Sequence, residues 1–388
     1  MHPLVEQVTH DLRQRSRPTR QAYLDRCRRT MDDDPPKRRL SCGNMAHGYA
    51  ACSADEKKLI GGMEAANLGI ISSYNDMLSA HQPLADYPEA IKGIARDLGG
   101  TAQVASGVPA MCDGVTQGQP GMDLSLFSRD VVAMSTAVGL SHNLFDAAVC
   151  LGICDKIVPG MMIGALNFGH LPVAFIGSGP MSSGIPNKTK ADVRQRYAEG
   201  KADRAQLLAV ESASYHSPGT CTFYGTANTN QVLMEMLGVQ LPGSSFLHPG
   251  DPLRTHLVQH TVQALMGADA LGGGHPLCEV VTEASLVNAV IGLLATGGST
   301  NHTLHFVAIA RTAGIDLTWQ DMDTLSSVIP LLARVYPNGS ADINDFQDAG
   351  GMAFLVRELR SGGLLNEDVR NILGEGLDPY CHAPALNS

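Results

Sequence analysis

Largely apolar residues fall in short runs at 68–74, 101–105, 145–153 and 171–177, each ending in or within two residues of Gly, Asn or Asp. Each run predicts a strand, and 145–153, richest in buried residue types, predicts an interior one. Between and after them the spacing turns helical, predicting helices over 55–67, 83–98, 161–168, 227–237, 282–294 and 303–313. Strand and helix alternate through the first half of the chain, so the predicted fold is α/β, with a largely parallel sheet flanked by helices. Residues 1–30 carry charged helical spacing and predict an amino-terminal helical arm that packs on the body or on a second subunit. Residues 32–39, D-D-D-P-P-K-R-R, predict a solvated linker, because paired prolines and blocked charges oppose regular structure. The expected organisation is an arm and linker over 1–40 and one α/β body over 41–388. The polar stretch 187–216, with Lys188, Lys190, Arg194, Arg196, Lys201 and Arg204, predicts an outer helical excursion whose cations face solvent or a phosphate.

The loops at the strand ends carry the chemistry. The run 145–153 leads into Cys154, Asp155 and Lys156, which places a thiol, a carboxylate and an amine in consecutive positions ahead of Pro159-Gly160. Strand 101–105 leads to Cys112 and Asp113, strand 68–74 to Asn75 and Asp76, and Cys221 stands in a further Gly-containing loop. Open parallel sheets bind their ligands at strand carboxyl ends. Thiolates suit iron-sulfur clusters or zinc and carboxylates suit magnesium or manganese, so these loops are predicted to hold metal.

A net charge of -10 and a pI near 5.7 argue against nucleic acid or an anionic membrane as partner. No apolar run reaches spanning length, and the amino terminus lacks the core of a signal peptide. Nine cysteines, an odd number widely scattered in a long chain, indicate reduced thiols and a cytoplasmic setting. Phosphoryl transfer on a carboxylate is disfavoured, because no G-x-x-x-x-G-K-[ST] loop is present.

Four collinear motifs sharpen this reading: C-D-G-V-T-Q-G-Q-P-G-M at 112–122, G-I-C-D-K-I-V-P-G-M at 152–161, G-T-C-T-F-Y-G-T-A-N-T-N-Q at 219–231 and G-G-S-T-N-H-T-L-H at 297–305. Together they resemble the dihydroxy-acid and 6-phosphogluconate dehydratase family. Residues 73–83, S-Y-N-D-M-L-S-A-H-Q-P, and the continuation after Cys221 are more similar to the 6-phosphogluconate branch. The resemblance implies a 4Fe-4S cluster with Cys154 and Cys221 as ligands. A third family cysteine falls where this chain has Ala80, leaving Cys112 and His81 as candidates for that place. It further implies a magnesium site at Asp113, Asp155 and Lys156, the lysine binding as a carbamate. If unmodified, Lys156 instead meets a carboxylate or phosphate of the substrate, or pairs with Asp155 or Asp113. The implied substrate is a small anionic sugar-acid phosphate and the implied assembly a homodimer. Ser244, Ser245 and the 297–301 loop are places to look for its phosphate. The family's proposed base, a serine, and another metal-site carboxylate belong to a carboxyl-terminal barrel-like domain that is not expected within 388 residues. His81 and His302 stand as possible substitutes for that base. The alternative expectation is a catalytically silent fragment that binds cluster or ligand.

Overall fold

The computed structural model describes residues 1–33, 35–63, 65–267 and 273–385. Its centre is a four-stranded, wholly parallel sheet of β1 (Asn67–Ser72), β2 (Thr101–Gly107), β3 (Ala147–Leu151) and β4 (Val173–Ile176), in the order β2-β1-β3-β4. Each crossover contains a helix: Tyr87–Asp97 joins β1 to β2, Ser125–Leu140 joins β2 to β3, and Ile157–Leu166 joins β3 to β4. The α/β reading therefore holds.

The reason the run 147–151 is apolar throughout is visible in β3. Ala147, Val149 and Leu151 point into a core shared with Ile91, Ala95, Val258 and Val262, while Ala148 and Cys150 point into a second core with Val132, Ile157 and Met161. Alternate residues of a strand face opposite sides, so a sheet covered on both faces needs apolar residues at every position.

On one face the helices Ser125–Leu140 and Ile157–Leu166 touch almost backbone to backbone. A Cβ at Gly160 would stand 2.6 Å from the Arg129 carbonyl oxygen, and one at Gly164 would stand 2.6 Å from Thr136 Cβ. This contact sets the position of Lys156, which caps the start of the second helix.

The amino-terminal arm is a 30-residue helix, Pro3–Asp32, that packs on the body through Val5, Val8 and Leu12. Its buried Arg20 donates to the carbonyls of Ala313, Cys278 and Val281. The expected solvated linker differs from the structure: Pro36–Arg39 forms a single 3-10 turn, with Lys37 buried and paired to Asp146 at 2.6 Å. Asp146 also accepts from the Asn67 amide, so this pair pins the turn to the start of β1. The polar excursion is two helices, Asn187–Ala198 and Arg204–Ser214. Near the other terminus Tyr380 is buried and donates to the Gln240 carbonyl. No helix among the described residues is long and apolar enough to cross a membrane.

Candidate metal centre at the strand ends

In the order β2-β1-β3-β4, connections leave β1 and β3 in opposite directions, so a crevice forms beyond their carboxyl ends. Ser73 closes its floor, donating from both its amide and its hydroxyl to the Leu151 carbonyl at 3.0 and 2.9 Å. The chain leaving β3 then reaches Cys154, whose φ of 71° lies in the left-handed region. A non-glycine residue is held there only by surrounding bonds. Those bonds come from Asn230, whose amide nitrogen donates to the carbonyls of Cys154 (2.8 Å) and Asp155 (3.1 Å). With that nitrogen so engaged, Asn230 Oδ1 accepts from His302 Nε2 at 2.8 Å, which fixes the proton on Nε2. His302 is buried and neutral: burial, with the neighbouring His305 as a smaller influence, pulls its pKa down to about 3.

Cys221 arrives by a different route. Beyond β4 the backbone pairs Pro180 with Thr220, and Gly219 approaches so closely that a Cβ would lie 2.3 Å from the Met181 amide. Asn228 then donates to the Cys221 and Phe223 carbonyls, both at 2.8 Å. Asn228 and Asn230 both sit in the first turns of the helix Thr226–Met236, so one short segment clamps both cysteine loops. The T-A-N-T-N stretch carried the family resemblance without an assigned role; its two asparagines are the residues that sequence reasoning missed. The only signal was two buriable amides within one helical turn.

The electrostatics connect three thiols. Burial raises Cys154 far above the usual thiol range, with the charges of Cys112, Asp155 and Cys221 raising it further. Burial likewise lifts Cys221 to about 11, with Cys112 adding to the rise and Lys190 opposing it. Cys112, at the start of the short turn Asp113–Thr116 after β2, thus acts on both cysteines named from the family pattern. His81 does not share in this. It is fully buried, its Nδ1 lies 2.8 Å from the Ser73 carbonyl, and burial alone dominates the fall of its pKa to about 4. Ala80, at the place of the missing family cysteine, is buried and offers only its carbonyl, which accepts from Ser178 at 2.5 Å.

Lys156 stands beside this group, 6% exposed, donating to Asp113 and, at 3.3 Å, to Asp155. Ser125 donates to the other Asp113 oxygen at 2.6 Å. Burial would raise Asp113, but the hydrogen bonds from Lys156 and Ser125 outweigh it and leave the carboxyl below its usual range. Asp155 is raised, chiefly by burial, and Lys156 only partly compensates. One turn along from Ser125, Arg129 lies 3.5 Å from His305 Nδ1 and pairs with the exposed Asp130.

These contacts decide which metals the residues fit. Half-buried thiols with raised pKa, as Cys154 and Cys221 are, need a bound cation to persist as thiolates, and iron accepts that soft donor set. Among the described residues no three His, Cys, Asp or Glu side chains close on a single ion. A cluster spreads its ligands over several irons, so separate sulfurs on separate loops suit it. Magnesium fares differently. As an ammonium, Lys156 already pairs with both carboxylates and leaves no room for a second cation, whereas the carbamate that the family resemblance implies would make it a third anion beside Asp113 and Asp155, a donor set that suits magnesium.

The phosphate candidates separate in the same way. The Ser245 amide and hydroxyl serve the buried Glu235 at 2.8 and 2.5 Å, and Ser244 bonds the Leu241 carbonyl, so neither faces the crevice chemistry. In the 297–301 loop the Ser299 amide donates to Thr229, and Asn301 donates to Thr226, which fastens that loop to the asparagine-bearing helix.

Comparison with known proteins places the chain in a family. The profile described as "Dihydroxy-acid/6-phosphogluconate dehydratase N-terminal" matches residues 65–379. A phosphogluconate dehydratase of Pseudomonas aeruginosa is 58% identical over 387 residues, covering 100% of this chain and 64% of that protein. One from Escherichia coli K12 is 56% identical over 389 residues, with 100% and 64% covered. A dihydroxy-acid dehydratase of Aquifex aeolicus is 33% identical over 314 residues, covering 79% of this chain and 56% of that protein. The chain spans about 64% of the length of the phosphogluconate dehydratases it matches. A profile match over most of the sequence, and relatives aligned from one end of it to the other, establish that the chain belongs to the dihydroxy-acid/6-phosphogluconate dehydratase family.

Proposed function

We propose that the protein serves as a hydro-lyase on 6-phospho-D-gluconate, forming 2-dehydro-3-deoxy-6-phospho-D-gluconate and water, the dehydration of the Entner-Doudoroff pathway. In this reading Cys154 and Cys221 hold a 4Fe-4S cluster, with Cys112 as the third sulfur in place of the residue lost at Ala80. The observation that carries it is that Asn228 and Asn230, two residues apart at the start of one helix, hold the Cys221 and Cys154 loops together at the sheet's carboxyl ends, with Cys112 near enough to raise the pKa of both thiols. The identity to phosphogluconate dehydratases, well above that to the dihydroxy-acid enzyme, supports the choice of substrate.

Hydroxide is a poor leaving group, as water's pKa of ~15.7 shows, and a bound cluster supplies the Lewis acidity that eases its departure. The chain's own residues do the rest of the positioning. Lys156 offers a fixed cation where negative charge grows on the substrate carboxylate as the neighbouring proton leaves. Asp113 and Asp155 hold that ammonium in place. Asn228 and Asn230 keep the two cysteine loops at a set separation. His81 and His302 each commit a ring nitrogen to holding a loop, so neither is assigned as the base. No step is assigned to magnesium.

The test is anaerobic reconstitution with iron and sulfide. The protein should bind iron and show a charge-transfer band that Cys154→Ser, Cys221→Ser and Cys112→Ser each diminish. Unchanged iron content in all three would refute the ligand set. Offered together, 6-phospho-D-gluconate should be consumed in preference to a branched dihydroxy acid; the reverse preference would overturn the substrate assignment.

A further inference from the structure

Three lysines are buried among the described residues: Lys37 at 3% exposure, Lys156 at 6% and Lys190 at 7%. The first two meet carboxylates, Lys37 at Asp146 and Lys156 at Asp113 and Asp155. Lys190 has no carboxylate partner among the described residues. Its ammonium donates to the Tyr215 hydroxyl at 3.2 Å and lies 4.7 Å from the Tyr215 ring centre and 6.0 Å from that of Phe223. Two aromatic rings and one neutral hydrogen bond return less than the desolvation of a buried cation costs. The pocket is therefore built around a charge whose counter-ion is none of the described side chains.

Position narrows the choice of anion. Phe223 is two residues from Cys221, and the Lys190 charge is felt at that thiol. Elsewhere on the same helix Lys188, Arg194 and Arg196 are exposed, so Lys190 alone turns inward. Two buried cations thus flank the cysteine loops, Lys156 on the loop after β3 and Lys190 against Phe223 in the loop that carries Cys221. A phosphorylated sugar acid has two anionic ends, and elimination occurs next to the carboxylate. Lys156, adjacent to Asp155 and Cys154, takes that end, which leaves the far end to Lys190.

We propose that Lys190, caged by Tyr215 and Phe223, binds the phosphate group of the substrate and is the residue by which the protein distinguishes a phosphorylated sugar acid from its unphosphorylated counterpart. This rests on the sugar-acid dehydratase reading.

The reconstituted protein is titrated with 6-phospho-D-gluconate and with D-gluconate, before and after Lys190→Met and Lys190→Arg. Loss of a charge-assisted contact predicts a roughly tenfold to hundredfold weaker grip on phosphogluconate in K190M. Gluconate binding should stay the same, K190R should keep most of the preference, and turnover should show the loss in KM rather than kcat. Equal weakening of both ligands overturns the proposal. So does loss of iron with the preference intact, which would make Lys190 a counter-charge for the cluster. If the unaltered protein binds no phosphogluconate, the dehydratase reading itself falls; if it prefers phosphogluconate and K190M retains that preference, only the role of Lys190 falls. In the unaltered protein inorganic phosphate should compete with phosphogluconate and leave gluconate undisturbed. Competition with neither overturns the phosphate subsite even if K190M fails to fold.

Discussion

Replacing Asn230 tests whether the Cys154 loop is held by its neighbours. The side chain is buried and makes three short bonds, to the carbonyls of Cys154 and Asp155 and to His302 Nε2. Each buried bond contributes about 1 kcal/mol net, so Asn230→Ala removes on the order of 3 kcal/mol. The left-handed backbone at Cys154 returns about 1 kcal/mol of strain if the loop relaxes. A net loss of roughly 2 kcal/mol is expected in a chemical unfolding series, or the equivalent rise in unfolding rate where refolding is incomplete. Asn230→Asp should be worse despite its matching shape, because it sets a carboxylate oxygen against two carbonyl oxygens in a buried site. The second readout is iron retained after anaerobic reconstitution, which should fall in the same order. If N230D proves as stable as N230A, or if both variants hold iron like the unaltered protein, the clamp does not set the geometry of Cys154.

Packing and titration give further expected outcomes. Gly160→Ala should cost about 1–3 kcal/mol, because its Cβ would meet the Arg129 carbonyl and Val132 Cβ at 2.6 and 2.7 Å. Gly93→Ala, in a helix with nothing within 4 Å of the new methyl, should stabilise by roughly 0.5–1 kcal/mol; equal melting shifts for the two would refute the close-contact argument. For pH, His302 titrates near 6.5 when unfolded and near 3 when folded, so the unfolded chain takes up its proton first. Its contribution is complete above pH 6.5 and is lost as pH falls from there through about 3, on the order of 5 kcal/mol in all. His302→Gln should flatten the acid limb of stability against pH by about one proton, and an unaltered slope would rule this out.

The interior strands could be read from the chain because their burial leaves a one-dimensional trace: no polar residue interrupts β1 between Leu68 and Ile71 or β3 between Ala147 and Leu151, whereas the edge strand β2 carries Gln103 and exposes Val104. The helix Ser125–Leu140 left no such trace. It buries Val132, Thr136 and Leu140 yet exposes Phe127, Met134 and Val138, so apolar residues surround it and its period is blurred. The same contrast runs through the site. Asp155 and Lys156 come directly after Cys154, and Asp113 ends a neighbouring strand loop, so their proximity is expected once the sheet is parallel. Lys190 is one cation among several on a polar stretch, and its burial depends on Tyr215 and Phe223 from other elements. Spacing along a chain reports which face of an element is wet, but not which polar residue on the wet face is turned back toward a neighbour. Lys190 is of that second kind, whereas Asn228 and Asn230 lie on a helix buried along nearly its whole length, where spacing does not mark which amide clamps a loop. They join the excursion, the asparagine-bearing helix and the strand ends into one crevice, and there a single substitution separates the fold from the site.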